Sequence, residues 1–94
     1  MRTVPKKLFS SSVNSAGTTV TASDKWIITD LYITNASGDF SEVTIEHDSD
    51  ILFGGVEVDG NSTIKLGNII MEENEEFYAE ASQEITITAY GRVV

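Results

Sequence analysis

The 94-residue chain is long enough for one domain with a single modest core, and it has no cysteine, so no disulfide or thiolate metal site holds it together. No stretch approaches the roughly 18 apolar residues of a membrane-spanning helix, and residues 2–12 lack the apolar centre of a signal peptide, so we expect neither insertion nor export. Residues 1–7 carry +3, whereas residues 8–94 set three cations against fifteen acids and carry −12, which argues against direct nucleic-acid binding.

The N-terminal segment differs in character from the rest of the chain. Pro5 cannot donate to a central ladder, so residues 1–9 are predicted to form an extended arm or an edge strand. Residues 10–17 are polar and turn-rich, which predicts a flexible connection. We therefore divide the chain into an N-terminal arm and linker, residues 1–12, and a β-sandwich domain, residues 13–94.

After this segment, short runs of alternating apolar and polar residues are separated by turn signals. They predict strands at 18–22, 25–35, 40–47, 51–58 with a Gly-Gly interruption, 62–66, 69–71, 77–81 and 84–90. No segment has a helical period, and one helical turn at 72–75 is the most helix we expect. About eight short strands predict an all-β fold, an antiparallel β-sandwich or jelly roll with an extended N-terminal arm.

The strongest predicted strand, 25–35, changes phase along its length. Trp26 and Ile28 share one parity, whereas Leu31 and Ile33 share the other. Because side chains of a strand alternate between faces, a bulge near residues 29–30 is needed to bring both pairs into the core. The alternative is that both faces of the strand are partly covered, as in an assembled protein.

No catalytic or metal site can be assembled from the sequence. His47 is the only histidine, and its strand neighbour Glu46 points to the opposite face, so a metal cluster at 46–50 is disfavoured. Residues 59–62 read first as a hairpin turn, and no hydroxyl nucleophile has a recognisable base. We expect no enzyme activity, no cofactor and no metal.

The aromatic residues suggest a second class of function. Exposed rings of Trp26, Tyr32, Tyr78 and Tyr90 would suit a carbohydrate-binding or host-adhesion module. The place of Trp26 beside Ile28 favours core packing instead, and the tyrosines suit the rim of a protein interface.

A basic arm and an acidic body suggest contact between chains. The arm would dock on the Glu-rich segment 72–76 of another copy, and the simpler alternatives are a solvated loop and a loose, solubilising terminus. The predicted interface residues are Arg2, Val4, Lys6, Lys7, Leu8, Phe9, Glu72, Glu73, Glu75 and Glu76.

From Trp26 onward the order of strands and turns resembles a recurrent small β-sandwich of tailed-bacteriophage virion proteins. The resemblance covers about 70 residues and is carried by Lys25-Trp26-Ile27-Ile28, Leu31-Tyr32-Ile33-Thr34-Asn35, Val43-Thr44-Ile45, Asn61-Ser62-Thr63-Ile64-Lys65-Leu66, Phe77-Tyr78-Ala79-Glu80-Ala81-Ser82 and Glu84-Ile85-Thr86-Ile87-Thr88-Ala89-Tyr90-Gly91. It is a pattern of strands and turns, and it carries no functional residue over to this chain.

The resemblance implies a structural role in a virion, assembled in the host cytoplasm. Such proteins occur as capsid decoration or cement proteins, head fibres, neck components and tail accessories, usually as symmetric oligomers. The implied partners are a major capsid, tail or neck protein and further copies of the chain, with a trimer suited to a capsid threefold position. Neither nucleic acid nor membrane is an expected partner.

Overall fold

The computed structural model describes residues 5–94, and every regular element there is a β-strand. The strands are β1 Lys6–Val13, β2 Thr18–Thr21, β3 Trp26–Asn35, β4 Ser41–His47, β5 Asp50–Val58, β6 Ser62–Met71, β7 Glu76–Ala81 and β8 Ile85–Val93. All strand pairs are antiparallel. The predicted all-β class is confirmed.

The strands pair as one long hairpin that is folded double. β1 pairs with β8, β2 with β7, β3 with β6 and β4 with β5, and rolling this hairpin adds the pairs β3–β8 and β4–β7. The first sheet therefore has the order β1-β8-β3-β6, and the second sheet has the order β2-β7-β4-β5. This nested pairing is the topology of a jelly roll, so the predicted sandwich or jelly roll is confirmed, and the structure adds the strand order that the sequence did not predict.

The core lies between the two sheets and is built from alternate positions of their strands. Its largest fully buried apolar side chains are Ile28, Leu31, Ile33, Ile45, Met71, Phe77, Ile85 and Ile87. Each contributes about 1.5–3 kcal/mol relative to an exposed position, which is the main favourable term against chain entropy.

The predicted bulge in β3 is confirmed. Ile28 lies opposite Gly91 of β8, but Asp30 lies opposite Tyr90, so Thr29 is the extra residue. The Thr29 hydroxyl donates to the backbone carbonyl of Tyr90 at 3.3 Å. Because of this extra residue, the apolar pairs before and after it both reach the core, as the phase break requires.

The N-terminal segment differs from the prediction of an arm and linker where the structure describes it. Residues 6–13 form β1, an edge strand of the first sheet, so the edge-strand alternative holds and residues 10–13 are not a flexible connection. Phe9 packs against Trp26 and Phe77, with ring centroids 5.9 and 5.5 Å away. The serines at 10–12 do not prevent strand formation, because Ser11 and Val13 lie on the same inward-facing side of β1 as Phe9.

Two predicted interruptions lie inside continuous strands. Gly54 and Gly55 are part of β5, where the pairing with β4 shifts register between Val43 and Ile45. Asn68 takes a positive φ of 55° within β6, which runs unbroken past Gly67. Gly54-Gly55 and Gly67-Asn68 are therefore irregularities within edge strands rather than turns between strands.

Candidate functional site

The two lateral sides of the sandwich are built differently. One side is bordered by β1 and β2, and the other, which we call the open side, is bordered by β5 and β6. Edge strands carry free backbone donors and acceptors, so each side needs protection against association with other chains.

The side bordered by β1 and β2 has such protection. Pro5 precedes β1 and has no N–H, and Lys6 and Lys7 place exposed charges on the strand. Between Lys7 and Phe9 the register with β8 shifts, which twists this edge. β2 has only four residues. Prolines, lysines, bulges and short strands are the usual means of blunting an edge.

The open side combines long edges with exposed apolar side chains. β5 has nine residues and β6 has ten, and within residues 5–94 neither has a strand partner on its outer edge. Ile51 is 68% exposed, Leu52 44% and Ile70 53%. Lone exposed apolar residues are ordinary, but several together along an unpaired edge mark an interaction surface.

A groove of about 260 Å³ lies between the two strands of the open side. It is lined by Leu52 from β5 and by the stretch from Leu66 to Ile69 of β6. The turn at 59–61 joins the two strands at one end, and beyond it they belong to different sheets. The groove is therefore a gap at this side of the sandwich that residues 5–94 do not close.

Local features of β5 hold the apolar side chains in this position. The register with β4 shifts again between Ile45 and Glu46, which leaves Leu52 unpaired as an extra residue. Gly55 takes a positive φ of 59°, and its N–H donates to the Thr44 hydroxyl at 3.0 Å. The bulges turn Phe53 toward the core and leave Leu52 facing the groove.

The sequence did not reveal the open side, although two signals were present. Residues 51–53 and 69–71 are consecutive apolar runs, whereas a strand with one solvated face alternates. Such runs indicate strands that are covered on both faces. In this chain one face of each run is left exposed in part.

The predicted interface residues are spread over several parts of the molecule. Arg2 and Val4 lie outside the described residues. Lys6 and Lys7 are exposed on β1, whereas Leu8 and Phe9 pack against the chain's own core. The four predicted glutamates lie around the turn between β6 and β7, at one end of the sandwich.

The turn between β6 and β7 is held by its own acidic side chains. Oε1 of Glu75 accepts from the backbone N–H of Glu72 at 2.7 Å and lies 2.9 Å from Nε2 of His47. Lys25 contacts the Glu72 carboxylate at 3.5 Å. Within residues 5–94 no three His, Asp or Glu side chains lie close enough to hold a metal ion. Glu75 thus joins the turn to His47 at the end of β4.

This network gives a prediction about acid stability. The backbone N–H of Glu72, and then His47, hold the pKa of Glu75 below its ordinary value of 4.5. As the pH falls, Glu75 takes up its proton at a higher pH in the unfolded chain than in the folded chain. The stabilisation of the fold by the Glu75 carboxylate is therefore present above pH ~4.5 and is lost as the pH falls through the lower folded-state pKa. Glu75→Gln should lower the midpoint of thermal unfolding at pH 7, and this difference should shrink toward pH 3.

Glu73→Gln is the matched control, because Glu73 is exposed in the same turn and makes no hydrogen bond or ion pair within the described chain. It should unfold like the wild type at both pH values. Equal effects of the two substitutions would show that only net charge matters.

The four aromatic residues considered for sugar binding do not form a flat platform. Trp26 is only 7% exposed and packs against Phe9. Tyr32 and Tyr90 share the outer face of the first sheet, but their rings meet edge to face at 80°. The hydroxyl of Tyr78 donates to Glu80 at 3.2 Å. Sugar rings stack on coplanar exposed faces, and this geometry does not offer one.

No family model, curated protein or solved structure matches the chain. The part of the chain that the structure describes contains no helix that is long and apolar enough to cross a membrane.

Proposed function

We propose that this chain is a non-enzymatic structural protein that assembles with copies of itself through the open side, as an accessory protein of a tailed-phage virion. The observation that carries the proposal is the apolar groove between two long edge strands whose outer edges have no strand partner among residues 5–94. A strand of a neighbouring chain added along β5 would satisfy the free backbone groups and cover Leu52.

The electrostatics of the open side favour a second copy as the occupant. Each copy carries a net charge of −9, so two copies repel each other over most approaches. The strands that border the groove carry only Asp50, Glu57 and Lys65, and Lys65 is paired with Asp30 at 2.9 Å. These three residues sum to −1 of the chain's −9, so contact through the open side buries apolar area at a small electrostatic cost.

The virion assignment is supported by resemblance and by topology. The strand pattern resembles small virion sandwiches, and jelly rolls occur in viral capsid domains and in lectins. A fold does not assign a function, so the site has to distinguish between these two classes. The open side suits an assembling protein, whereas buried Trp26 and the edge-to-face tyrosines give little support to sugar binding.

Leu52→Lys tests the proposal, because a lysine at the groove blocks an edge strand. At about 1 M salt, where the Debye length is roughly 3 Å, repulsion between copies is screened and the wild type should be oligomeric. Leu52→Lys should be monomeric by sedimentation velocity at the same concentration. Val93→Lys is the control, since Val93 is 40% exposed, lies away from the groove and undergoes the same charge change.

Two outcomes would overturn the proposal. The first is a wild-type monomer at every concentration in high salt, and the second is equal association of Leu52→Lys and the wild type. Cosedimentation of the oligomer with phage heads and with tails tests the virion role separately, and binding to neither particle would remove that part of the proposal.

A further inference from the structure

The two sheets of the sandwich carry opposite charge. The strands of the first sheet contain four cations and one acid, which are Lys6, Lys7, Lys65, Arg92 and Asp30. The strands of the second sheet contain six acids and neither lysine nor arginine, the acids being Glu42, Glu46, Asp50, Glu57, Glu76 and Glu80. The sequence does not reveal this separation, because strands of the two sheets are interleaved along the chain.

The outer face of the second sheet is acidic, and its strands contain no lysine or arginine. Glu42 lies directly opposite Glu57 on the neighbouring strand, an arrangement that destabilises a sheet. A shallow groove of about 250 Å³ on this face is lined by Glu42, Thr44 and Glu80 among others. The ion pairs within residues 5–94 involve none of these glutamates. A cationic partner would therefore relieve a repulsion that residues 5–94 do not compensate.

The outer face of the first sheet offers such cations. Lys7 lies opposite Tyr90, and Arg92 lies opposite Ile27, which places both cations on the outer face. Neither cation belongs to an ion pair in the part of the chain that the structure describes. Tyrosine and arginine are the residue types enriched at protein interfaces.

We infer that the first-sheet face of one copy docks on the second-sheet face of the next, with Lys7 and Arg92 directed to the groove beside Glu42 and Glu80. This inference rests on the proposed function as a self-assembling protein and adds a second contact to it. The contact is heterologous, so repeated copies form a closed ring or an open stack.

The faces are large enough for such a contact. The Cα atoms extend over 41 × 29 × 17 Å, and the shortest extent fits two twisted sheets packed about 10 Å apart. The product of the two longer extents is roughly 1,200 Å², above the ~800 Å² that each partner buries in a standard interface.

Salt separates this contact from the one at the open side. A contact between opposite charges weakens as salt rises, whereas a nearly neutral contact between acidic copies strengthens. Sedimentation of the full chain should therefore show an association step at about 0.01 M salt that disappears as the salt is raised toward about 1 M. We call this the low-salt step.

Charge reversal identifies the surfaces. One variant carries Lys7→Glu and Arg92→Glu, and the other carries Glu42→Lys and Glu80→Lys. Each alone should raise the dissociation constant of the low-salt step by about tenfold or more, because both of its faces then have the same sign. An equimolar mixture should regain the step, since every face then meets its opposite. The control carries Glu73→Lys and Glu84→Lys, which match the second variant in net charge but lie at the ends of the sandwich, and it should behave like the wild type.

A low-salt step that survives both reversals, a mixture that associates no more than its components, or a wild type without a salt-labile step would each overturn the inference. If the second face instead binds a foreign basic protein, the purified chain shows no such step. These outcomes leave the high-salt comparison of Leu52→Lys and Val93→Lys unaffected, so the two proposals fail separately.

Discussion

Replacing Gly91 with alanine is expected to lower the free energy of unfolding by more than about 3 kcal/mol, at or beyond the upper end of overpacking effects. A Cβ at this position would overlap the carbonyl oxygen of Ile27 and lie 2.9 Å from the Cα of Ile28. Both are backbone atoms of β3, which lies between two other strands of its sheet, so neither can move aside cheaply. The close approach lies directly beside the bulge, because Ile28 faces Gly91 and the next residue, Thr29, is the extra one.

Gly38→Ala is the matched control, since a Cβ at Gly38 meets nothing within 4 Å. Its effect should be close to zero or slightly stabilising, through the entropy of the unfolded chain. Urea unfolding followed by Trp26 fluorescence measures both variants. If Gly91→Ala unfolds within about 0.5 kcal/mol of Gly38→Ala, the backbone contact at the bulge is not rigid.

The bulge shows which parts of this fold can be predicted from the sequence. The parity change between Ile28 and Leu31 is a local signal, and it gave the position of the bulge to within one residue. Gly91 could not be interpreted in the same way, because its role depends on a strand that is about sixty residues away in the chain. Strand order has the same origin, since β1–β8 and β2–β7 join distant segments whose local patterns fit many pairings.

The prediction of the binding site was limited by its reliance on charge. Basic residues 6 and 7 suggested an arm that docks on another copy, although the next two residues are apolar and Phe9 packs against the chain's own core. Charge reports which surfaces attract one another, whereas burial decides whether a segment leaves the domain. The open side went unnoticed because no pattern shows which strands form the edges of their sheets.

The two contacts inferred for this chain would respond to solution conditions in opposite directions. Burial of Leu52 in the groove is favoured by salt, and docking of the charged faces is opposed by it. Such a protein would dock through its charged faces at low ionic strength, where repulsion between acidic copies weakens the contact at the open side. At high ionic strength it would associate through the open side instead. A titration of assembly mass against salt therefore gives more information than a single measurement.

The second large effect is expected at Asn35, a fully buried polar residue at the end of β3. Its side-chain NH₂ donates to the backbone carbonyls of Asp39 at 2.8 Å and Val58 at 3.0 Å. Its side-chain oxygen accepts from the N–H of Ser37 at 3.0 Å and from the hydroxyl of Ser37 at 2.8 Å. The Asn35 side chain thus forms hydrogen bonds with backbone groups of the turn after β3 and of the end of β5. An apolar side chain in its place would leave these buried carbonyls without a donor.

Asn35→Asp is expected to cost more than about 3 kcal/mol at pH 7, because it buries a charge and sets a carboxylate against two carbonyl oxygens. Burial raises the pKa of the introduced carboxyl, so the folded state binds a proton that the unfolded state releases, and part of the loss should be recovered between pH 7 and pH ~4. Asn14→Asp is the control, since Asn14 is exposed and its side chain makes one hydrogen bond within the described residues. In this bond Oδ1 accepts from the backbone N–H of Ala16 at 2.9 Å, and a carboxylate preserves it. Thermal unfolding of both variants across this pH range measures the difference in stability. If the loss of stability in Asn35→Asp does not depend on pH, it comes from altered packing rather than from the buried charge and the two lost donors.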